Sequence, residues 1–324
     1  MLHIGIDAGG TSTRATVVTT AGECVGYAQG SGGNPISSGK QKASAAVISA
    51  AETALKRADS TLADVGKIVL AMAGSSAGES GEWLSDPLLS HGFSGTLSWE
   101  SDLLATYFSG VFSSFGYAVV SGTGAAVIRV ENGRIASTTD GLGWLLGDLG
   151  SGFWIGHHVA LAVMAEIDGR GPATTLTPRL LDMLKVSSDG PYVQGRPATL
   201  PRLITELYGL RPVELAQFAP LAFAESRDDV ARGILDEAGT LLARSVVTAH
   251  TSPGPLVIGG SVLAQSGRLA DAFAAHLAEH DITPEIVRVS DGAVGSAVLA
   301  LRRLGVEITS DVFHTVTTTV AQQR

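Results

Sequence analysis

Five short stretches carry residue types suited to phosphate and hydroxyl chemistry. In Ile6-Asp7-Ala8-Gly9-Gly10-Thr11-Ser12-Thr13 a carboxylate ends an apolar run, two glycines make a turn and hydroxyls follow at once. Such a carboxylate can hold hydrated magnesium, glycines lacking Cβ let backbone amides approach phosphate oxygens, and Thr11 adds a hydroxyl donor. The same letters also describe a plain Gly-Gly hairpin with an Asx-type turn. Ser121-Gly122-Thr123-Gly124 offers the same chemistry a second time, or a second tight hairpin. Without a Lys-rich clamp, a phosphate site must neutralise charge with amides and a metal ion. Asp102 stands just after a strand-like run and heads a helical one. An isolated Asp there is by default a helix cap, but phosphoryl transfer needs a carboxylate that accepts and orients the proton of the acceptor hydroxyl, and Asp102 is placed for that.

Two further segments are ambiguous in the same way. Gly147-Asp148-Leu149-Gly150-Ser151-Gly152-Phe153-Trp154 joins an acid to a helix start. Asp148 or Ser151 can cap that helix, and Asp148 can accept hydrogen bonds from sugar hydroxyls. Gly259-Gly260-Ser261 lets an adenosine lie across its backbone, or turns a strand into a helix. Three other patterns fail. The run from Asn34 to Gln41 imitates a Walker A loop but has Asn in place of the first Gly and Gln41 where the magnesium-binding hydroxyl belongs. Gly141, Gly143 and Gly147 have the wrong last spacing for a dinucleotide turn. His157 and His158 are adjacent on a helix, do not share a face and have no third ligand nearby, so surface or packed histidines are the better reading.

The elements that must position these residues read as alternating strands and helices. Leu2 to Asp7, Thr13 to Thr19 and Val25 to Gln29 are strand-like; Lys40 to Arg57, Glu79 to Leu89 and Asp102 to Phe112 are helical in pattern; Lys67 to Ala73 and Thr96 to Glu100 are strands between them. Such alternation predicts a parallel or mixed sheet covered by helices. Tyr117 to Arg134 then repeats the opening pattern of strand, glycine turn and strand, so the chain reads as duplicated, with two hairpins able to hold a polyphosphate between them. Ser151 to His250 is mostly helical, an insertion in the second half. Leu256 to Ile258 and Glu285 to Val289 are strands, followed by helices from Leu263 and over Ala293 to Leu304. The last twenty residues, rich in Thr and Val, give no reading.

Composition excludes several classes. The 324 residues are enough for two domains or one large one, and 45% hydrophobic with 16% charged residues fits a well-packed soluble enzyme and not a disordered chain. A formal charge of −9 opposes a nucleic-acid partner. The longest apolar runs are strand-sized, so no membrane span is expected, and no leader is read before Leu2. Cys24 is the only cysteine, which leaves no internal disulfide or CxxC pair and fits a reducing cytoplasm.

In order, the Asp7 turn, Asn34, Asp102, the Ser121–Gly124 turn, the Gly147–Gly156 block and the Val257–Val262 turn resemble the N-acetylglucosamine kinases and the wider BadF/BadG/BcrA/BcrD-type ATPases of the sugar kinase, heat-shock protein and actin superfamily. The likeness runs from Leu2 to about Leu304, and the Gly147 block is its most specific part. It implies a duplicated actin-like (ribonuclease H-like) α/β fold of two domains around a cleft: residues 1–114 joined by the C-terminal helix region 292–324, and residues 115–291 with the helical insertion. It implies ATP and Mg2+, with Asp7 at magnesium through water, and Gly9, Gly10, Thr11, Thr123 and Gly124 at phosphates. Gly239, Gly259, Gly260 and Ser261 would lie near adenosine. Asn34, Asp102, Gly143 and Asp148 would face an amino sugar, with Asp102 the general base on its 6-hydroxyl. A small-molecule partner, a cytoplasmic enzyme and a homodimer follow by the same resemblance. Two positions depart from the family pattern: Leu149 stands where Glu is usual, and Leu142 where Trp is frequent. The single cysteine argues against the cluster-carrying branch that activates dehydratases.

Overall fold

The computed structural model describes residues 1–74, 81–225, 227–265 and 267–324. Its first half runs β1 (Leu2–Ala8), β2 (Ser12–Thr19), β3 (Cys24–Ser31), α1 (Pro35–Ser38), α2 (Lys40–Arg57), β4 (Val65–Met72), α3 (Glu82–Ser90), β5 (Thr96–Glu100) and α4 (Asp102–Gly110). The second runs β6 (Gly116–Ser121), β7 (Ala125–Glu131), β8 (Arg134–Asp140), α5 (Gly152–Ile167), α6 (Leu176–Leu184), β9 (Tyr192–Val193), β10 (Arg196–Pro197), α7 (Thr199–Gly209), α8 (Ala219–Ala224), α9 (Asp229–Ala249), β11 (Leu256–Gly259), α10 (Arg268–Glu279) and β12 (Ile286–Arg288). The helices α11 (Ala293–Arg302) and α12 (Ser310–Gln323) close the chain.

The duplication is visible in the strand order. One sheet is ordered β3-β2-β1-β4-β5 and the other, taken from the corresponding edge, β8-β7-β6-β11-β12. In each, the first three strands form an antiparallel meander, and the lead strand pairs in parallel with the strand that arrives after a helix. β1 and β6 are buried nearly throughout, as expected for lead strands with neighbours on both edges and cover on both faces. α4 and α11 lie between the two sheets and share one apolar core with Val69, Ala71, Ala118, Ile128 and Val257. A second core fills the face of the first sheet under α2, and a third unites β6 and β7 with the helical insertion and α10.

Several boundaries differ from the expectations. The predicted helix at 79–89 begins at Glu82, and Glu79 lies outside the described residues. The helix expected from Leu263 starts at Arg268, because Val262 turns back to donate to Ser121 O and Gly267, at φ 108°, breaks the run. The Thr- and Val-rich terminus is a helix, α12, capped by Thr309, with Val316 and Val320 fully buried against the first half. Burial of two such side chains is worth about 1.5–3 kcal/mol each. No helix among the described residues is long and apolar enough to cross a membrane.

Candidate functional site

Gly9 and Gly10 form the β1–β2 hairpin, closed by Gly9 N–H donating to Ser12 O at 2.9 Å. The segment after β3 lies beneath this turn, and Gly33 N–H donates to Gly9 O at 3.1 Å. Thr11 is exposed at the tip. Asp7, near the end of β1, is buried and faces Arg14 across the antiparallel register. Its Oδ2 accepts from Gly292 N–H at 3.0 Å and lies 3.4 Å from Arg14 Nη1. Burial pushes the Asp7 carboxyl above the ordinary carboxylate range while the Arg14 guanidinium opposes the shift.

Asp102 is the first residue of α4, and the residue before it, Ser101, supplies the cap, its hydroxyl accepting from Leu103 N–H at 3.2 Å. The capping alternative therefore belongs mainly to Ser101, although Asp102 Oδ1 also accepts from Leu103 N–H at 2.9 Å. Desolvation and the negative charge of Asp7 push the Asp102 carboxyl up to about 6. The two acids thus feel one another in a shared enclosure. Asn34 is buried and braced: its Oδ1 accepts from Ile36 N–H at 2.8 Å, capping α1, and its Nδ2 donates to Ala73 O just beyond β4 at 3.2 Å. One amide hydrogen remains for a ligand.

The β6–β7 hairpin closes through Gly122 N–H to Gly124 O at 2.9 Å, with Thr123 exposed. The start of α5 is seated on it, Gly152 N–H donating to Gly122 O at 2.7 Å and Phe153 N–H to Thr123 O at 3.1 Å. Ser151 caps α5 by accepting from Trp154 N–H at 3.1 Å. Asp148 serves a different end: its carboxylate accepts from Ala125 N–H at 3.2 Å and from Gly143 N–H. A methyl on Gly124 would meet that carboxylate at 3.0 Å. Asp140 in turn accepts from Asp148 N–H at 2.7 Å and Leu149 N–H at 2.8 Å. Asp140 and Asp148, both in the left-handed region at φ 61° and 55°, frame a loop whose Leu142, Trp144, Leu145 and Leu146 are exposed, as is Leu149 just after it. Gly143 sits in that loop at φ 82° beside open space.

The third turn stacks on the second. Gly260, at φ 89°, presses on the Ser121 carbonyl so tightly that any Cβ would overlap it, and Val262 N–H donates to the same Ser121 O at 2.9 Å. Between these turns and the α8 region lies a cavity of about 110 Å³, lined by Thr123, Ser261 and Gln265 on one side and Ala219, Pro220 and Phe223 on the other. Gly239 has another setting: it is buried where α9 crosses α10, with a would-be Cβ overlapping Leu269 O and 3.0 Å from Phe273 N. That close helix crossing accounts for the glycine, and Gly239 does not line the cavity. His157 stacks on Phe153 and His158 on Trp154 at ring separations of 5.6 and 3.7 Å.

Among the described residues no group of three or more His, Cys, Asp or Glu side chains could hold an ion by itself. Asp7 with Asp102 close by suits magnesium, which keeps several waters and takes one or two carboxylates together with phosphate oxygens. Sequence reasoning missed Arg14, Asp140, Asp291, Gly292 and Phe223. Arg14 was within reach, since a tight turn at Gly9-Gly10 places it opposite Asp7. Asp140 lies only eight residues before Asp148, whereas Asp291, Gly292 and Phe223 come from distant segments.

Two sheets of identical strand order, each with its first hairpin in a turn-built site and sharing α4 and α11, define an actin-like α/β ATPase fold. The chain belongs to the BadF/BadG/BcrA/BcrD ATPase family, whose model matches residues 4–300. It is 28% identical over 322 residues to the N-acetyl-D-glucosamine kinase of Dictyostelium discoideum, covering 93% of this chain and 98% of that one. It is 26% identical over 309 residues to the N-acetylmuramic acid/N-acetylglucosamine kinase of Clostridium acetobutylicum, covering 92% and 97%. A Chromobacterium violaceum protein of known structure superposes with a TM-score of 0.69 at 24% identity, covering 92% of this chain and 98% of its own, which speaks for the fold.

Proposed function

We propose that this protein is an ATP-dependent amino-sugar kinase that phosphorylates N-acetylglucosamine at the 6-hydroxyl. The observation that carries the reading is Asp102, a carboxylate at the head of α4, enclosed beside Asp7 and raised to about 6. A base with a pKa near working pH combines a large ionised fraction with real proton affinity. In the proposed reaction Asp102 accepts the proton of the sugar hydroxyl as its oxygen bonds to the γ-phosphorus. The bond from that phosphorus to the β–γ bridging oxygen breaks, and ADP leaves. Amides and hydroxyls of the Gly9–Thr11 and Thr123–Gly124 turns cradle the phosphates. Asp7 would hold magnesium through water, and the ion would neutralise phosphate charge. Adenosine is assigned to the cavity beside Gly259, Gly260 and Ser261, and the sugar to Asn34, Gly143, Asp148 and Asp102.

The same reading divides the chain into residues 1–114 with 292–324, and 115–291, closing on each other to expel water. It makes the protein a cytoplasmic homodimer. Support comes from the family membership and from two full-length relatives named as kinases of N-acetylated amino sugars. The test is sugar-dependent ADP release across N-acetylglucosamine, N-acetylmuramic acid, glucosamine and glucose. A response to N-acetylmuramic acid or glucosamine above N-acetylglucosamine would reassign the substrate. Sugar-independent hydrolysis would point to a partner-dependent ATPase, and silence with every sugar to a non-catalytic sensor.

A further inference from the structure

Four charged side chains form an unbroken alternating chain from the C-terminal helix to the first phosphate turn. Arg324, just past α12, places its Nη2 2.6 Å from Asp291 Oδ1 and its Nη1 3.3 Å from Ser290 Oγ. The other oxygen of Asp291 lies 3.3 Å from Arg14 Nε, and Arg14 Nη1 lies 3.4 Å from Asp7 Oδ2. The side chains of Asp7, Asp291 and Arg14 are 12, 8 and 19% exposed, so solvent screens these charges weakly. The start of α11 ties into the same chain: Gly292 N–H donates to Asp7 at 3.0 Å and Ala293 N–H to Asp291 at 3.0 Å.

The arrangement has a directional logic. A shielded Asp291 with one cationic partner would draw the Arg14 fork wholly to itself. Arg324 occupies one oxygen of Asp291, so Arg14 presents only its Nε edge there and keeps a terminal nitrogen for Asp7. A planar guanidinium can bridge two acids from separate edges, whereas an ammonium is a single point of charge. Asp7 is thus held between Arg14 and Gly292, and a side chain at Gly292 would crowd the Asp7 carboxyl at 3.0 Å.

We propose that Arg14 and Arg324 are positioning residues for phosphoryl transfer: α12, through Arg324 and Asp291, sets the Arg14 fork that holds Asp7 at the phosphate turn. The proposal rests on the reading of Asp7 as the phosphate-side acid. A merely structural pair would change stability alone. The experiment is a double-mutant cycle of R14Q and R324A, with R324K and R14K as charge-keeping controls. It reads kcat and KM at saturating magnesium and, in the nucleotide-free protein, the amide 15N–1H signals of Gly9, Gly10 and Gly292.

Misplacing a group by about 1 Å can cost a hundredfold, so R14Q is expected to lower kcat about a hundredfold and R324A about tenfold, with the sugar KM unmoved. R324A should shift the Gly292 amide signal, R324K should restore both signal and rate, and R14K should restore neither. In the R14Q background R324A should add nothing further, since both act through one contact. Additive losses, or an R324A protein that only melts earlier with kcat and the Gly292 signal in place, would overturn the proposal. Should R14Q not fold, the cycle runs on R14K, with the same outcomes deciding. If the unmutated protein phosphorylates no sugar, the kinase reading falls, and the Gly292 signal still decides the relay.

Discussion

Gly295 of α11 passes so close to Ala105 of α4 that a Cβ on Gly295 would overlap the Ala105 carbonyl oxygen. The two helices whose heads carry Asp102 and the Asp7-binding Gly292 amide are therefore in backbone contact one turn below the site. Replacing Gly295 by Ala forces them apart. Overpacking of this kind costs about 1–3 kcal/mol, and here it also moves Asp102 away from Asp7. Gly295→Ala is expected to lower both melting temperature and kcat, and unchanged kcat in a destabilised variant would uncouple the crossing from the site.

Asp102→Asn keeps the shape of the side chain and removes the proposed base. Turnover is expected to fall by about 10²–10⁴-fold, the range for general base catalysis, while ADP affinity by calorimetry stays close to that of the parent. Retention of full turnover would take Asp102 out of the base role.

The acid limb of the pH profile follows from the same carboxyl. Its pKa stands near 6 in the folded chain against 3.8 for the ordinary group, and the ionised form is the one that accepts a proton, so kcat/KM is expected to fall below pH 6. Stability runs the other way. A carboxyl whose folded pKa is raised contributes stability that is complete below pH 4 and lost as pH climbs through 6, by at most about 3 kcal/mol at 1.4 kcal/mol per unit. Urea unfolding of the parent and Asp102→Asn at pH 4.5 and 7.5 checks this, the variant being expected to gain stability relative to the parent at the higher pH.

Phe223 closes the cavity opposite Thr123 and Ser261. An aromatic wall against a flat base contributes about 0.5–1.5 kcal/mol beyond area burial. Phe223→Ala is accordingly expected to raise the KM for ATP severalfold to about tenfold with the sugar KM unchanged. A change confined to the sugar KM would place the nucleotide elsewhere.

Much of this frame was legible in the sequence because it is local. Asp7 with its glycine turn, Asp102 after a strand, and the recurrence of strand, turn and strand all lie within windows of a dozen residues, where hydrophobic period and turn chemistry speak directly. Partners from far along the chain were not legible. Asp291 and Gly292 reach Asp7 only because α11 packs between the sheets, and no spacing announces that. Gly239 shows a different limit: a buried helical glycine can serve a ligand or a close crossing, and here the α10 backbone is what it meets. In α12 the β-branched Thr and Val residues hide the helix. There Thr315, Thr317 and Thr319 turn their hydroxyls back onto carbonyls four residues earlier, and Thr319 also accepts from Cys24 N–H at 2.8 Å. Tertiary contact overrides a weak propensity.

The Asp140–Asp148 frame has a consequence for how this scaffold can be altered. Both ends of the intervening loop are pinned by backbone amides on carboxylates, whereas the side chains of Leu142, Leu145 and Leu146 project outward with 66, 73 and 75% exposure. The outward side chains at 142, 145 and 146 can therefore be exchanged, whereas Gly141 and Gly143 hold positive φ, a Cβ on Gly147 would overlap Asp140 Oδ1, and Trp144 packs edge-on against the buried Phe153. Under the proposed assignment of Gly143 and Asp148 to the sugar, such exchanges would shift acceptor preference while leaving the phosphate-side turns unchanged.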